Sequence, residues 1–386
     1  MTAQPGRLND IPFAAIAGIT ATVTVFAISQ GLSYPLLSFI LQRQGASPGM
    51  IGLSAAMTPL GFIVSSLVVP ALSRRFGAGR FAVACALISG TILAVIGWQQ
   101  NIWLWFPLRF LLGFFANPLY VISETWLLAV TPAAKRGRIM GVYTSMISAG
   151  FAMGPLTLAI VGTAGWPPFI VGVVAFALCA ISLLGLMGRL PDISGDHGTS
   201  VLAFARLAPL ILFAVFAAAA FEQVLMSLVS VYGAAFGSPE HRMSLLLTVF
   251  IAGNIALQIP FGAMAERIGA GNMMLICAVG GLFGALLLPA VFATPLIWPL
   301  AFFWGAVAFG VYTMALVMLG ERFSGPMLIT GNSAFSLFWG LGGIVGPPVT
   351  GSVMSQVGPQ GLPLTLAAIS VALCAALFLA RKRRPS

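Results

Sequence analysis

Long apolar runs follow one another along this chain, each bounded by glycine, proline or charge. About 20 apolar residues cross the hydrocarbon core of a bilayer as a helix, and twelve of the runs reach that length. They predict helices near residues 11–41, 49–72, 81–100, 102–131, 139–162 and 166–188 in the first half of the chain. In the second half they predict helices near 207–236, 241–264, 273–293, 295–320, 327–356 and 361–380. The fold class that follows is an all-α membrane protein with twelve transmembrane helices.

The runs are also repeated. The turn Pro70-Ala71-Leu72-Ser73-Arg74-Arg75-Phe76-Gly77-Ala78-Gly79 returns 192 residues later as Gly262-Ala263-Met264-Ala265-Glu266-Arg267-Ile268-Gly269-Ala270-Gly271. At the same offset Pro107, Gly113 and Tyr120 return as Pro299, Gly305 and Tyr312, and Gly150, Gly154 and Pro155 as Gly342, Gly346 and Pro347. Two copies of one half, in so apolar a sequence, predict two pseudo-symmetric six-helix bundles of the kind that builds transporters. The bundles are expected at 1–188 and 207–386. Between them, 189–206 is the one polar stretch of any length and reads as a linker.

Composition narrows the class further. With 59% hydrophobic and 7% charged residues and a mean hydropathy of +1.04, the chain lacks the polar surface to cover a soluble globule. The net charge of +10 is explained by topology, because lysine and arginine near short loops stay on the cytoplasmic side. With both termini inside, fifteen of the eighteen basic residues fall on that side; Arg43 and Arg242 fall in outer loops and Arg109 within a span. A nucleic-acid partner is therefore unnecessary, and the bilayer of a bacterial inner membrane is the expected surround. The first apolar run is longer than the core of a signal peptide and is read as the first spanning helix. Cys85, Cys179, Cys277 and Cys374 lie within spans and form no CxxC or Cys-His cluster, so no metal, disulfide framework or cofactor is expected. His197, beside Asp192 and Asp196 in the linker, reads as a solvated loop residue.

The turn after the second helix resembles that of the major facilitator superfamily, whose pattern there is roughly Gly-x-x-x-Asp-Arg-x-Gly-Arg-Arg. Gly262, Glu266, Arg267 and Gly269 match it, whereas Pro70 and Arg74 depart from it in the first half and Arg75 and Gly77 are kept. In the family this turn makes a charge-assisted latch on the cytoplasmic side, so the resemblance implies a latch that relies on Glu266 and Arg267. The alternative is that these are only topology-setting basic turns. Arg109-Phe-Leu-Leu-Gly113-Phe-Phe-Ala116 is similar to the family's fourth-helix element. Gly150-x-x-x-Gly154-Pro155 and Gly342-x-x-x-Gly346-Pro347 resemble the element associated with antiporters. Small residues four apart let helices approach closely and a following proline bends them, which suits a hinge or a packed gate; packing explains the motif as well as exchange does. Ser123-Glu124-Thr-Trp126 before Lys135-Arg136-Gly137-Arg138 resembles a bacterial branch typified by YcaD-like proteins.

An ionisable residue inside a span is costly and marks a functional candidate. Glu222 lies near the middle of the seventh span, and its repeat partner is Gln30 in the first. These two helices lead the two bundles, and in this fold they line the central cavity. A carboxylate there can take up a proton on one side and release it on the other, or bind a substrate cation; a structural hydrogen bond is the plainer role. Arg109 carries a fixed positive charge that would pair with a carboxylate or an anionic substrate group, unless it snorkels to the surface. Glu124 lies about 22 Å further along the same helix and about 60° round it, near the cytoplasmic end, where Arg75, Arg136 and Arg138 are its expected partners in a gate. Tyr34, Asn117, Gln223, Asn254, Gln258 and Asn332 are further polar groups within spans, and Trp339 is among the aromatics that could wall a cavity. Such a lining suits an amphipathic organic solute better than a bare ion.

The function expected is alternating-access transport of a small organic solute by a monomer, with proton-coupled efflux ahead of proton-coupled uptake of a sugar, vitamin or carboxylate. A non-transporting membrane sensor is the alternative from another class, and would usually add a soluble signalling domain. An enzyme is not expected, since no HExxH, GxSxG or P-loop pattern occurs.

Overall fold

Helices long enough to cross a bilayer account for nearly all of the secondary structure in the computed structural model, which describes residues 13–131, 136–186, 201–323 and 326–382. The first half holds α1 (Phe13–Arg43), α2 (Pro48–Phe76), α3 (Ala78–Trp98), α4 (Ile102–Val130), α5 (Arg136–Val161) and α6 (Pro167–Leu186). The second holds α8 (Pro209–Ala235), α9 (Glu240–Ile268), α10 (Ala270–Val291), α11 (Ile297–Arg322), α12 (Pro326–Val357) and α13 (Gly361–Lys382). These are the twelve spans, and among the described residues no strand forms. A thirteenth helix, α7 (Val201–Leu207), occupies the end of the stretch read as a linker and packs against α12 and α8. The rest of that stretch, with His197, lies outside the described residues.

Several prolines sit inside helices, as the expected spans have them, among them Pro59 and Pro70 of α2 and Pro107 and Pro118 of α4. In a helix bundle at membrane depth, neighbouring helices and hydroxyl side chains re-satisfy the carbonyl that proline frees. Sharp turns fall instead at Gly77 and Gly269, the same place in each repeat, where φ is 79° and 88° and a side chain would be strained.

The two halves pair their helices alike. α1 packs on α4, α5 and α6, α2 on α4, and α3 on α4 and α6; α8 packs on α11, α12 and α13, α9 on α11, and α10 on α11 and α13. The Gly-x-x-x-Gly-Pro elements serve this pairing. Gly150 and Gly154 of α5 lie against the α1 main chain at Thr24 and Gly31, and Gly342 and Gly346 of α12 against the α8 main chain at Phe216 and Ala220. Pro155 and Pro347 stand within uninterrupted helices. Close packing within each half is thus what the motif does here, identically in both halves.

Between the halves, α2 packs on α12, α5 on α9 and α1 on α8. The closure is at one end, the end that carries Arg43. Gly49 and Gly52 at the start of α2 abut Ser355 and Pro347 on α12, and the antiparallel seam runs on to Ile63 against Gly340. One continuous apolar core joins the first half to that end of the second, including Phe221–Tyr232 of α8, Met243–Ile251 of α9 and Met354. The opposite, basic end of the second half has a separate core of its own, from Phe204 through Met274 and Met318 to Leu377. There α4 and α5 make no extended packing with α11 or α12 among the described residues. Polar Thr144 and Ser145 on α5 and Asn332, Ser333 and Ser336 on α12 are exposed toward that end, a composition that suits a water-filled opening better than lipid.

Candidate functional site

α1 and α8 meet where the halves join, and they bring the polar groups of the two repeats together. Glu222 lies thirteen residues from either end of α8, halfway through the span. Its carboxylate faces the indole N–H of Trp339 on α12. Trp339 stacks on Phe62 of α2 at 6.4 Å, and Phe62 meets Tyr120 of α4 edge-on at 6.3 Å. Aromatic rings from both halves therefore wall the space beside the carboxylate.

Tyr34 stands between two charges, close enough to feel both Arg109 and Glu222. Its hydroxyl approaches the Gln223 amide, yet neither Tyr34 Oη nor Gln223 Nε2 closes a hydrogen bond. Arg109 is 1% exposed, so it does not snorkel. Its Nη1 donates to Ser54 Oγ at 3.3 Å, its Nε has no partner, and it forms no ion pair among the described residues. Both amide atoms of Gln30 and Nδ2 of Asn117 are also buried without a partner. Buried polar atoms are nearly always satisfied, and Tyr34, Arg109 and Gln223 leave hydrogen-bonding capacity unused where α1, α4 and α8 meet.

The structure thus brings together Glu222, Arg109, Tyr34, Gln223 and Trp339, with Gln30 buried on α1 and Asn117 on α4. The other polar groups named from the sequence have no contact with them that the structure records. Gln258 donates to Thr313 of α11 at 3.4 Å, within the second half. Asn254 is buried in α9, and Asn332 is exposed near the basic end of α12.

Of the expected cytoplasmic gate, only part falls among the described residues. Glu124 makes no ion pair with Arg75, whose guanidinium lies over the neighbouring Phe76 ring at 5.4 Å. Glu266 and Arg267 are exposed and join no ion pair among the described residues. The side chains of Arg136 and Arg138 lie outside the described residues. Glu124 and Arg75 belong to the same half, on the paired helices α4 and α2, so they fail to meet because the Arg75 guanidinium turns to its own neighbour Phe76. The ion pair that does cross between the halves is at the other end: Arg43 on α1 meets Glu240 on α9 at 2.7 Å. Sequence reasoning set Arg43 aside as an exception to the charge rule. The signal that could have found the pair is that Glu240 is the single acidic residue in the loops assigned to that end.

No group of His, Cys, Asp or Glu among the described residues could hold a metal ion, and the four cysteines are free.

The sequence model of the Major Facilitator Superfamily matches residues 19–206 and 211–386. An uncharacterised MFS-type transporter of Bacillus subtilis (strain 168), YfkF, is 26% identical over 91% of this chain and 92% of its own. YcaD of Escherichia coli O139:H28, also an uncharacterised MFS-type transporter, is 21% identical over 87% of each chain. Among solved structures, the nucleoside transporter NupG superposes with a TM-score of 0.78 at 17% identity, over 96% of this chain and 100% of that one. A bacterial homolog to the human lysosomal transporter Spinster, inward-facing and unoccupied, gives 0.74 at 16% identity over 98% and 100%. The likenesses to the two solved structures concern the fold alone.

Proposed function

This chain belongs to the Major Facilitator Superfamily and is a membrane transporter, and from that premise we propose that it moves an amphipathic organic solute by proton-coupled alternating access. The observation that carries the reading is Glu222: a carboxylate halfway through α8, without an ion-pair partner among the described residues, facing an aromatic wall and a cluster of unsatisfied amide and hydroxyl groups. A carboxylate so placed can exchange a proton with whichever side the cavity opens to. Tyr34 stands within reach of both Glu222 and Arg109, so that a fixed positive charge acts on the same site through the tyrosine. Orphaned amides and stacked rings suit a solute with both a flat apolar face and hydrogen-bonding edges.

Orientation follows from the basic end, which we assign to the cytoplasm of a bacterial inner membrane with both termini inside. The cavity then opens inward. Export against entering protons is the direction we assign, with the solute entering from the cytoplasm by that opening. The Gly-Pro elements do not bear on direction, since they pack both halves alike.

Proteoliposomes test the reading. An imposed proton gradient should drive solute uphill through the unsubstituted protein, and Glu222→Gln should leave downhill exchange while abolishing the proton-driven component. Unchanged coupling in Glu222→Gln removes Glu222 from the mechanism. Accumulation in the same direction as the proton flow assigns uptake in place of export.

A further inference from the structure

We propose that Arg43, Thr163 and Glu240 form a latch that holds the outer mouth of the transporter shut, and that must open in each cycle for the cavity to reach the far side. The latch rests on the transporter reading, and its name as outer rests on the orientation given above; neither depends on proton coupling at Glu222.

The three residues come from three elements and both halves. Arg43 is the last residue of α1, Thr163 follows α5, and Glu240 is the first residue of α9. Arg43 Nη1 donates to Glu240 Oε2 at 2.7 Å and Oε1 at 2.9 Å, and to Thr163 Oγ1 at 2.8 Å; Nη2 donates to the Thr163 carbonyl at 2.8 Å. The Thr163 hydroxyl in turn donates to Glu240 Oε2. The arginine is thus fixed to its own half by threonine before it reaches across, which reduces the entropy lost when the ion pair closes. Glu240 also stands in the first turn of α9, where the helix dipole favours a negative charge. The other outer cation, Arg242, does not compete, because its Nη2 donates to the Phe292 carbonyl in its own half.

The surroundings make the pair a switch. It is the one ion pair among the described residues, it joins the two halves, and its side chains are 41% and 30% exposed. A half-exposed pair of this kind contributes modestly, enough to bias an equilibrium between two mouths without freezing it. The latch ties the ends of α5 and α9, which pack on each other between the halves, so breaking it frees the outer end of that interface.

The test is a distance measurement across the outer mouth of the full-length protein in lipid nanodiscs. Spin labels at Gln100→Cys and Ala293→Cys, exposed in the two halves, are read on a background in which the four natural cysteines are alanine. The unsubstituted latch should give mainly the short distance. Glu240→Gln should raise the ratio of long to short distances by about two- to fivefold, and Arg43→Glu with Glu240→Arg should bring it back toward the starting value. Arg242→Gln, a charge lost at the same end but outside the latch, should change nothing. Without any substitution in the latch, raising the ionic strength to about 1 M, where the screening length is about 3 Å, should move the ratio in the same direction as Glu240→Gln. An unchanged ratio in both Glu240→Gln and high salt, a swap no closer to the starting value than the single variant, or an equal shift in Arg242→Gln overturns the proposal.

Discussion

Arg109 is held in surroundings that a cation tolerates poorly. It is buried in the first half, donates one long hydrogen bond to Ser54, and keeps an unpartnered Nε with no carboxylate in ion-pair range among the described residues. A buried charge that is not matched by its neighbours subtracts from stability, and its replacement by an apolar side chain of similar volume is often neutral or stabilising by about 1–4 kcal/mol. Arg109→Met should therefore leave the thermal midpoint unchanged or raised, while solute flux in the same preparation falls at least about tenfold, the size of one lost charge-assisted contact. A fall of about 3–5 kcal/mol in stability would instead assign the arginine a structural partner. Arg109 and Glu222 were legible in the sequence because an ionisable residue in an apolar run stands out. Tyr34 and Gln223 were legible as candidates, but their junction with Arg109 and Glu222 was not, since it depends on how α1 and α8 face each other. Arg43 and Glu240 were not legible as a pair: they are 197 residues apart, and each by itself is an ordinary loop charge.

At the scale of helices, the repeat is expressed as close approach of backbones. Gly61 of α2 and Gly113 of α4 each meet main chain across the pair, at Phe110 and Thr58, and Gly253 and Gly305 do the same between α9 and α11, at Phe302 and Phe250. Each of the second pair stands 192 residues from its counterpart, so two helices cross at the same contact twice in the molecule. A methyl group there would strike a carbonyl that cannot swing aside. Gly253→Ala should cost about 1–3 kcal/mol, read as a lowered thermal midpoint. Gly185→Ala in α6, where nothing lies near the added carbon, should be neutral or stabilising by up to about 1 kcal/mol. Equal effects of the two substitutions would mean that glycine acts through helix propensity and not through contact. The twelve spans were readable because hydrophobic length alone specifies them. Their ends were less so: α2 runs on through Arg74 and Arg75 to Phe76, past the expected end at 72, because only Gly77 with its positive φ stops it. The turn of helix at Val201–Leu207 was hidden in a stretch whose polar beginning reads as linker.

At the scale of the whole molecule, a sequence encodes both ends of a transport cycle at once and so carries no mark of which is closed. The structure answers for one state, in which the Arg43 end is sealed by the latch and by the α2–α12 seam while the basic end stands apart. If that seal is a gate, it has to come open during turnover, and a covalent tie across it has to stop transport. Gly49 and Ser355 offer the place. The Gly49 N–H donates to Ser355 Oγ at 3.1 Å, and a Cβ on Gly49 would lie 3.4 Å from that oxygen, so that thiols at the two positions start in contact. Gly49→Cys combined with Ser355→Cys should cross-link on oxidation, visible as protection from alkylation, and flux in proteoliposomes should fall to the level of empty vesicles. Reduction should restore it, and each single substitution should transport under both conditions. Because the tie matches the geometry already present, it arrests the molecule in the state described and does not distort it. Flux that persists through the fully cross-linked protein would show that this end never opens, and with it the rocking of one six-helix bundle against the other about Glu222 would fall.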